Sequence, residues 1–181
     1  MIKKKPSEFM SREDRLNWLM DEYGDSIVRL AYTYTKQKQM AEDIAQDVFI
    51  KCYEKLDTFR EESSYRTWLY RITVNTCKDA LKSWSYRNLF FTDIISPKWL
   101  RPHRSTEIEI VVDEESRMIS EKVLALPVKL REVIILHYYE ELSTEEVAQL
   151  LKLNQNTVKS RLYRGRLQLK KMLDGGERYG R

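Results

Sequence analysis

The residues best suited to chemistry stand near the carboxyl end, and the chemistry they suit is recognition of a polyanion. From Lys152 to Lys171 the sequence carries seven Lys or Arg residues and no acidic one. Val158, Leu162, Gly165 and Leu169 recur there at steps of three and four, the inward stripe of a helix, with Gly165 allowing a neighbour to approach closely. Lys159, Ser160, Tyr163, Arg164 and Arg166 are left outward, and a basic helical face of this kind attracts a phosphate backbone. Catalysis has no candidates: the chain has no phosphate-binding glycine loop and no Ser/His/Asp or paired-carboxylate arrangement at meaningful spacing. His103 and His137 are isolated, and Cys52 and Cys77 belong to no CxxC or Cys/His cluster. Reduced thiols, no metal and no cofactor are therefore expected.

The elements that must position the basic helix lie just before it. Ser143 with Glu146 has the form of a capping box and sets a helix start at Thr144. Val147, Leu150 and Leu151 follow at helical spacing, and Asn154 is the expected turn residue, since asparagine tolerates a left-handed backbone. The basic helix then begins near Asn156. Short helix, turn and basic second helix form a helix-turn-helix, the arrangement that lays a helix in the major groove. Upstream, Pro127 opens a helix with Leu130, Val133, Ile134 and His137 on one stripe, preceded by another helix from about Arg117 to Leu124. These two must cover the helix-turn-helix.

The whole chain is 181 residues long, 42% hydrophobic and 33% charged, with only five glycines and four prolines. This composition suits a folded all-α protein of two small domains. The net charge of +4 conceals a basic carboxyl region beside an acidic run from Glu107 to Glu115. No apolar run is long enough to span a bilayer, and the amino end lacks the apolar core of a signal peptide, so a cytoplasmic protein without membrane insertion is expected.

In the amino-terminal half, Ser11 to Thr35 reads as a core-packing helix through Leu16, Leu19, Met20, Tyr23, Ile27, Leu30, Ala31 and Tyr34, interrupted only by Gly24. A second helix, about Gln39 to Leu56, places Met40, Ile44, Val48, Cys52 and Leu56 at a strict spacing of four. Its opposite side carries Asp43, Gln46, Asp47, Ile50 and Glu54, and an isoleucine among carboxylates is unusual for a face that meets only water. A polar loop from Asp57 to Ser64 precedes a third helix, about Tyr65 to Trp84. Trp68, Leu69, Ile72, Thr73, Thr76 and Ala80 are expected inward. Thr67, Arg71, Val74, Asn75, Lys78 and Lys82 are expected along an outward edge, beside Tyr65, Trp68 and Tyr70, rings on which exposed bases could stack but which helical spacing more often places in a core. Tyr86 to Ser116 lacks a clean period and contains Pro97 and Pro102, which makes it an interdomain linker, though Leu89, Phe90, Phe91, Ile94, Ile95, Trp99 and Leu100 are too apolar for a simple spacer. The expected domains are 10–84 and 116–175, joined by a linker over 85–115.

The motifs decide between many helix-turn-helix proteins. Asp43-Ile44-Ala45-Gln46-Asp47-Val48-Phe49, Phe59-Arg60 and Tyr65-Arg66-Thr67-Trp68-Leu69-Tyr70-Arg71-Ile72, with Asn75 and Asp79, resemble region two of bacterial sigma factors. Leu126-Pro127, Arg131-Glu132-Val133, Tyr138-Tyr139, Leu142-Ser143, Glu145-Glu146-Val147-Ala148 and Thr157-Val158-Lys159-Ser160-Arg161-Leu162 resemble region four. Two such motifs in order, without further domains, are similar to the extracytoplasmic-function (ECF) group of the sigma-70 family.

That resemblance implies a non-enzymatic promoter-recognition subunit that docks on core RNA polymerase through the beta-prime clamp helices and the beta flap. Asp43, Gln46, Asp47, Ile50 and Glu54 would meet the clamp helices. Phe59, Arg60 and Ser63 would lie near a flipped base of the minus-10 element, with Arg71, Asn75 and Lys78 at the duplex edge and phosphates. Lys159, Ser160, Tyr163 and Arg164 would contact minus-35 bases, and Thr157, Arg161 and Arg166 would hold phosphates. Promoter DNA and an anti-sigma factor are the other implied partners, the apolar linker helping to hold an inhibited state. The sequence departs from the family's usual pattern at Asn154 and Asn156, where proline and glycine are common, and at Glu61 and Glu62 in an unusually acidic minus-10 loop. The alternative is a helix-turn-helix regulator that acts without replacing the sigma subunit, binding its operator without polymerase.

Overall fold

The computed structural model describes residues 11–59, 64–85 and 114–174. Its described residues are helical and divide into two compact units, with the division between Phe90 and Phe91. None of the described helices is long and apolar enough to cross a membrane. The sequence-defined linker lies outside the described residues except at its ends, as do Arg60 and Ser63 and the tail after Asp174.

In the first unit α1 (Arg12–Thr35), α2 (Lys38–Lys55) and α3 (Tyr65–Ser85) all pack on one another. Ser11 caps α1 by accepting the Asp14 N–H at 3.0 Å, and α1 stops at Lys36, which takes a left-handed backbone at φ 57° and donates to the Tyr32 carbonyl. The spacing-of-four row on α2 is the core row: Ile44, Val48, Cys52 and Leu56 are buried, while Met40 is half-buried. A single 3-10 turn, Leu56–Thr58, leads α2 into the loop. Ser64 caps α3, accepting the Thr67 N–H at 3.1 Å.

The α3 faces differ from expectation. Thr67 and Val74 are buried, as are Tyr65 and Tyr70, whereas Ile72 and Trp68 are only half-buried. Both α1 and α2 cover this helix, so its buried sector is wider than one stripe and takes in Tyr70, Val74 and Cys77 beside Leu69, Thr73 and Thr76. Two of the three rings, Tyr65 and Tyr70, are thus core residues, the reading that helical spacing favours.

The second unit is built on α7 (Gln155–Asp174), which contacts α4 (Glu114–Ala125), α5 (Val128–Ile134) and α6 (Thr144–Leu151). α4 begins at Glu114, three residues before the expected start. Six consecutive residues, Arg131 to Leu136, are buried, more than one side of a regular helix can hide. The backbone accommodates them by widening into a π-helical turn over Ile135–Tyr139, closed by Glu140 N–H on the Ile135 carbonyl at 3.0 Å. Tight packing continues at Gly165: a Cβ there would lie 3.0 Å from Ile134 Cγ1.

Candidate polymerase and promoter surfaces

Three exposed surfaces collect most of the described candidate residues. On α2, Asp43, Gln46, Asp47, Ile50 and Glu54 are all exposed, with Ile50 at 58%. Gln39 Nε2 donates to Asp43 Oδ1 at 3.1 Å, keeping that carboxylate on the helix surface. Beside this face an open groove of about 760 Å³ runs between α1 and α2. Its α1 wall is Leu16, Met20, Gly24 and Val28, and its α2 wall includes Ala45, Phe49, Ile50 and Tyr53, with Glu42, Gln46 and Glu54 among its polar lining. The isoleucine among carboxylates is therefore one side of a partly apolar trough.

The α1 half of that trough was not expected from sequence. Met20, read as core, is 45% exposed, and no atom lies within 4 Å of a Cβ built on Gly24. The available signal was Gly24 itself, which breaks the apolar stripe where the groove passes.

The second surface surrounds the start of α3. Phe59 stacks on Tyr65 with centroids 4.4 Å apart and leans on Trp68 at 5.0 Å, leaving Phe59 and Trp68 half-buried. The loop's first residues are anchored from α1: Arg12 and Arg15 both pair with Asp57, at 3.4 and 3.1 Å. Arg12 also lies over the Tyr53 ring at 4.1 Å and donates to the Tyr53 carbonyl, while Tyr53 donates to Glu13 at 2.8 Å. That last bond holds the Glu13 carboxyl below its ordinary range and pushes the Tyr53 phenol up. With Thr67 and Val74 removed from the outward edge, Arg71, Asn75, Lys78 and Lys82 remain, at steps of four, three and four along one side of α3. Asn75 and Lys82 are exposed and Arg71 and Lys78 half-buried; the Arg71 Nε is buried without a hydrogen-bond partner among the described residues.

The third surface is the helix-turn-helix. The capping box forms as expected, with Ser143 N–H on Glu146 Oε2 at 2.8 Å and Glu146 N–H on Ser143 Oγ at 3.2 Å. The turn differs from expectation: Lys152, not Asn154, is left-handed, at φ 54°. Asn154 instead caps α7, its Oδ1 accepting the Asn156 N–H at 2.8 Å, so that the helix starts at Gln155. Gln155 also bridges to Thr144 Oγ1 at 3.1 Å, tying the two helix starts together.

On α7, Val158, Leu162 and Gly165 are buried and Leu169 is half-buried, while Lys159, Ser160, Tyr163, Arg164 and Arg166 are exposed, Tyr163 at 63%. Ser160 donates its hydroxyl back to the Asn156 carbonyl at 2.7 Å, which leaves its oxygen outward as an acceptor. Thr157 is half-buried at the helix start. Arg161 does not share the outward row: its Nη1 sits 2.9 Å from Glu132 Oε1.

An all-helical pair of units, the second ending in a helix-turn-helix with an exposed basic reader, defines a DNA-reading transcription protein. Comparison with known proteins narrows this to one family. The Sigma-70 region 2 family matches residues 19–85, and the Sigma-70 region 4 family matches residues 116–169. The chain is 33% identical to the ECF RNA polymerase sigma factor SigW of Bacillus subtilis, over 96% of this chain and 97% of that one. It is 32% identical to the RNA polymerase sigma-H factor of Pseudomonas aeruginosa, over 86% and 84% of the two. Among solved structures the fold is similar to that of the sigma factor RpoE from Bartonella quintana, crystallised with the anti-sigma factor NepR, at a TM-score of 0.70 and 21% identity over 87% and 96% of the chains. The chain belongs to the sigma-70 family of RNA polymerase sigma factors, in its ECF group.

Proposed function

We propose that this alternative sigma factor works in the cytoplasm, without catalysis of its own, by dividing three tasks among the three surfaces. The carrying observation is that an acidic-edged, partly apolar face on the first unit and a basic reading face on the second are both exposed on rigid helices. Asp43, Gln46, Asp47, Ile50 and Glu54, with the α1 wall of the groove, dock on the beta-prime clamp helices of core RNA polymerase. The carboxylates steer and orient a basic partner, and the apolar trough supplies buried area. The second unit, over 116–175, seats on the beta flap.

On the promoter, Phe59 with Arg60 and Ser63 borders a flipped minus-10 base, the ring of Trp68 lying alongside. Arg71, Asn75 and Lys78 track the duplex edge and its phosphates. In the minus-35 major groove Lys159, Ser160, Tyr163 and Arg164 read base edges, and Thr157 and Arg166 hold phosphates. Each unit alone binds weakly. Anchoring both on polymerase makes the second contact intramolecular and fixes the spacing of the two promoter elements. An anti-sigma factor is a further proposed partner, in keeping with the anti-sigma factor bound in the structurally similar Bartonella quintana complex. A regulator acting without replacing the sigma subunit is not favoured, because both halves match sigma regions in order.

The test is run-off transcription by purified core RNA polymerase over a promoter library, with and without this protein. Initiation that depends on the protein, at start sites sharing a two-part upstream sequence, is the expected result. Absence of initiation while the protein binds a DNA sequence unaided would refute the reading.

A further inference from the structure

Of the basic residues at 159, 161, 164 and 166, Arg161 alone turns inward. Its side chain is 17% exposed and that of its partner Glu132 only 4%. Glu132 lies on α5, and the residue before it is equally committed: Arg131, 2% exposed, donates to the Leu124 and Leu126 carbonyls at the end of α4. Two successive α5 residues thus tie the unit together, one to α4 and one to α7. One helical turn beyond Arg161, the Gly165 backbone rests against Ile134 of the same helix α5.

An apolar seam alone leaves a helix some freedom to rotate or slide, because its contacts are not directional. A buried ion pair has one good geometry, and fixing register is the best-attested use of such pairs. The bases that α7 meets depend on its rotation: a turn by one residue carries each side chain through about 100°.

The geometry points to Glu132 and Arg161 as a positioning pair. It sets the rotation and height of α7 so that Lys159, Ser160, Tyr163 and Arg164 face the major groove, and Arg161 neutralises no phosphate. This revises the phosphate-holding role that the family resemblance gives Arg161, and it rests on the proposed reading of α7 as the minus-35 reader.

Salt dependence separates positioning from phosphate contact. Each phosphate contact adds close to one to the slope of log affinity against log salt. Holoenzyme made from core polymerase and the full chain is titrated over a range of KCl onto a promoter it transcribes, with the minus-35 element intact or scrambled. The variants are Arg166→Ala, Arg161→Met, and Glu132→Met with Arg161→Met. Arg166→Ala should lower the slope by about one. Arg161→Met should keep the full slope while losing about tenfold of the preference for the intact element, the scale of one mismatched base pair. The double variant, which replaces the pair by packing side chains, should recover most of that preference. A slope reduced by about one in Arg161→Met would overturn the inference, as would an undiminished preference in Arg161→Met or a double variant no better than the single. Wild-type holoenzyme that ignores the scrambling would refute the minus-35 reading itself, and the wild-type titration alone reveals that case.

Discussion

Gly165→Ala tests the packing that holds the reading helix. The new methyl would lie 3.0 Å from Ile134 Cγ1 and 3.2 Å from its Cδ1, with Leu130 Cβ at 3.8 Å. Carbon atoms pack best near 3.5–4.0 Å, so either Ile134 or α7 must move by about 0.5 Å. Ile134 is 2% exposed and has little room to yield. Overpacking of this kind costs roughly 1–3 kcal/mol, and replacing a mid-helix glycine by alanine returns about 1 kcal/mol of helix propensity. The net expectation is a loss of about 0–2 kcal/mol. The sign of the clash is isolated in a cycle with Ile134→Ala, which removes both close atoms. In that background Gly165→Ala should stabilise, by about 1 kcal/mol, so the two changes couple by about 1–3 kcal/mol. Urea unfolding followed by far-UV circular dichroism measures each corner. With Trp99 replaced by Phe in every variant, the remaining tryptophans, Trp18, Trp68 and Trp84, all belong to the first unit and give a fluorescence transition that should not move. Stabilisation by Gly165→Ala in the wild-type background, or equal effects in both backgrounds, would refute the reasoning.

The same arguments apply elsewhere. Gly24→Phe should stabilise the first unit by about 0.5 kcal/mol or less, since Phe is only a little better than glycine in mid-helix and nothing crowds its Cβ, yet it should fill the groove and weaken co-purification with core polymerase at least tenfold. Lys152→Gly should raise the stability of the second unit by about 0.5–1 kcal/mol in urea titrations, by relieving a left-handed non-glycine residue at the end of α6. Burial pushes the Cys52 and Cys77 thiols up to about 12, so both should resist alkylation at pH 8 until the chain is unfolded. A raised folded pKa gives stability that is full below the unfolded value near 9 and is lost as pH rises toward about 12. Accordingly Cys77→Ala should flatten the alkaline fall in the urea midpoint relative to wild type.

The long periodic rows were legible because burial on one side writes itself into sequence at helical spacing. Ile44, Val48, Cys52 and Leu56 are core residues, and Lys159, Ser160, Tyr163, Arg164 and Arg166 are outward. The capping box was legible because its two residues satisfy each other locally. Long-range partners left no such mark. Nothing at Arg161 announces a carboxylate 29 residues away, and Thr67 and Val74 sink only because two helices cover α3. The turn was misplaced because Lys152, a residue with no left-handed preference, ends α6, while Asn154 serves as a cap. The groove escaped because Leu16 and Met20 look like core until the opposite wall is known.

The division of labour between polymerase docking and promoter reading is tested most directly by promoter affinity under three conditions. A fluorescent promoter fragment, chosen for its protein-dependent initiation, is titrated with the protein alone, with core polymerase alone, and with both. The predicted result is weak, salt-sensitive, sequence-indifferent binding for the protein and for core polymerase separately, and tight binding that depends on both promoter elements only when they are combined. Tight, sequence-specific binding by the protein alone would contradict the account.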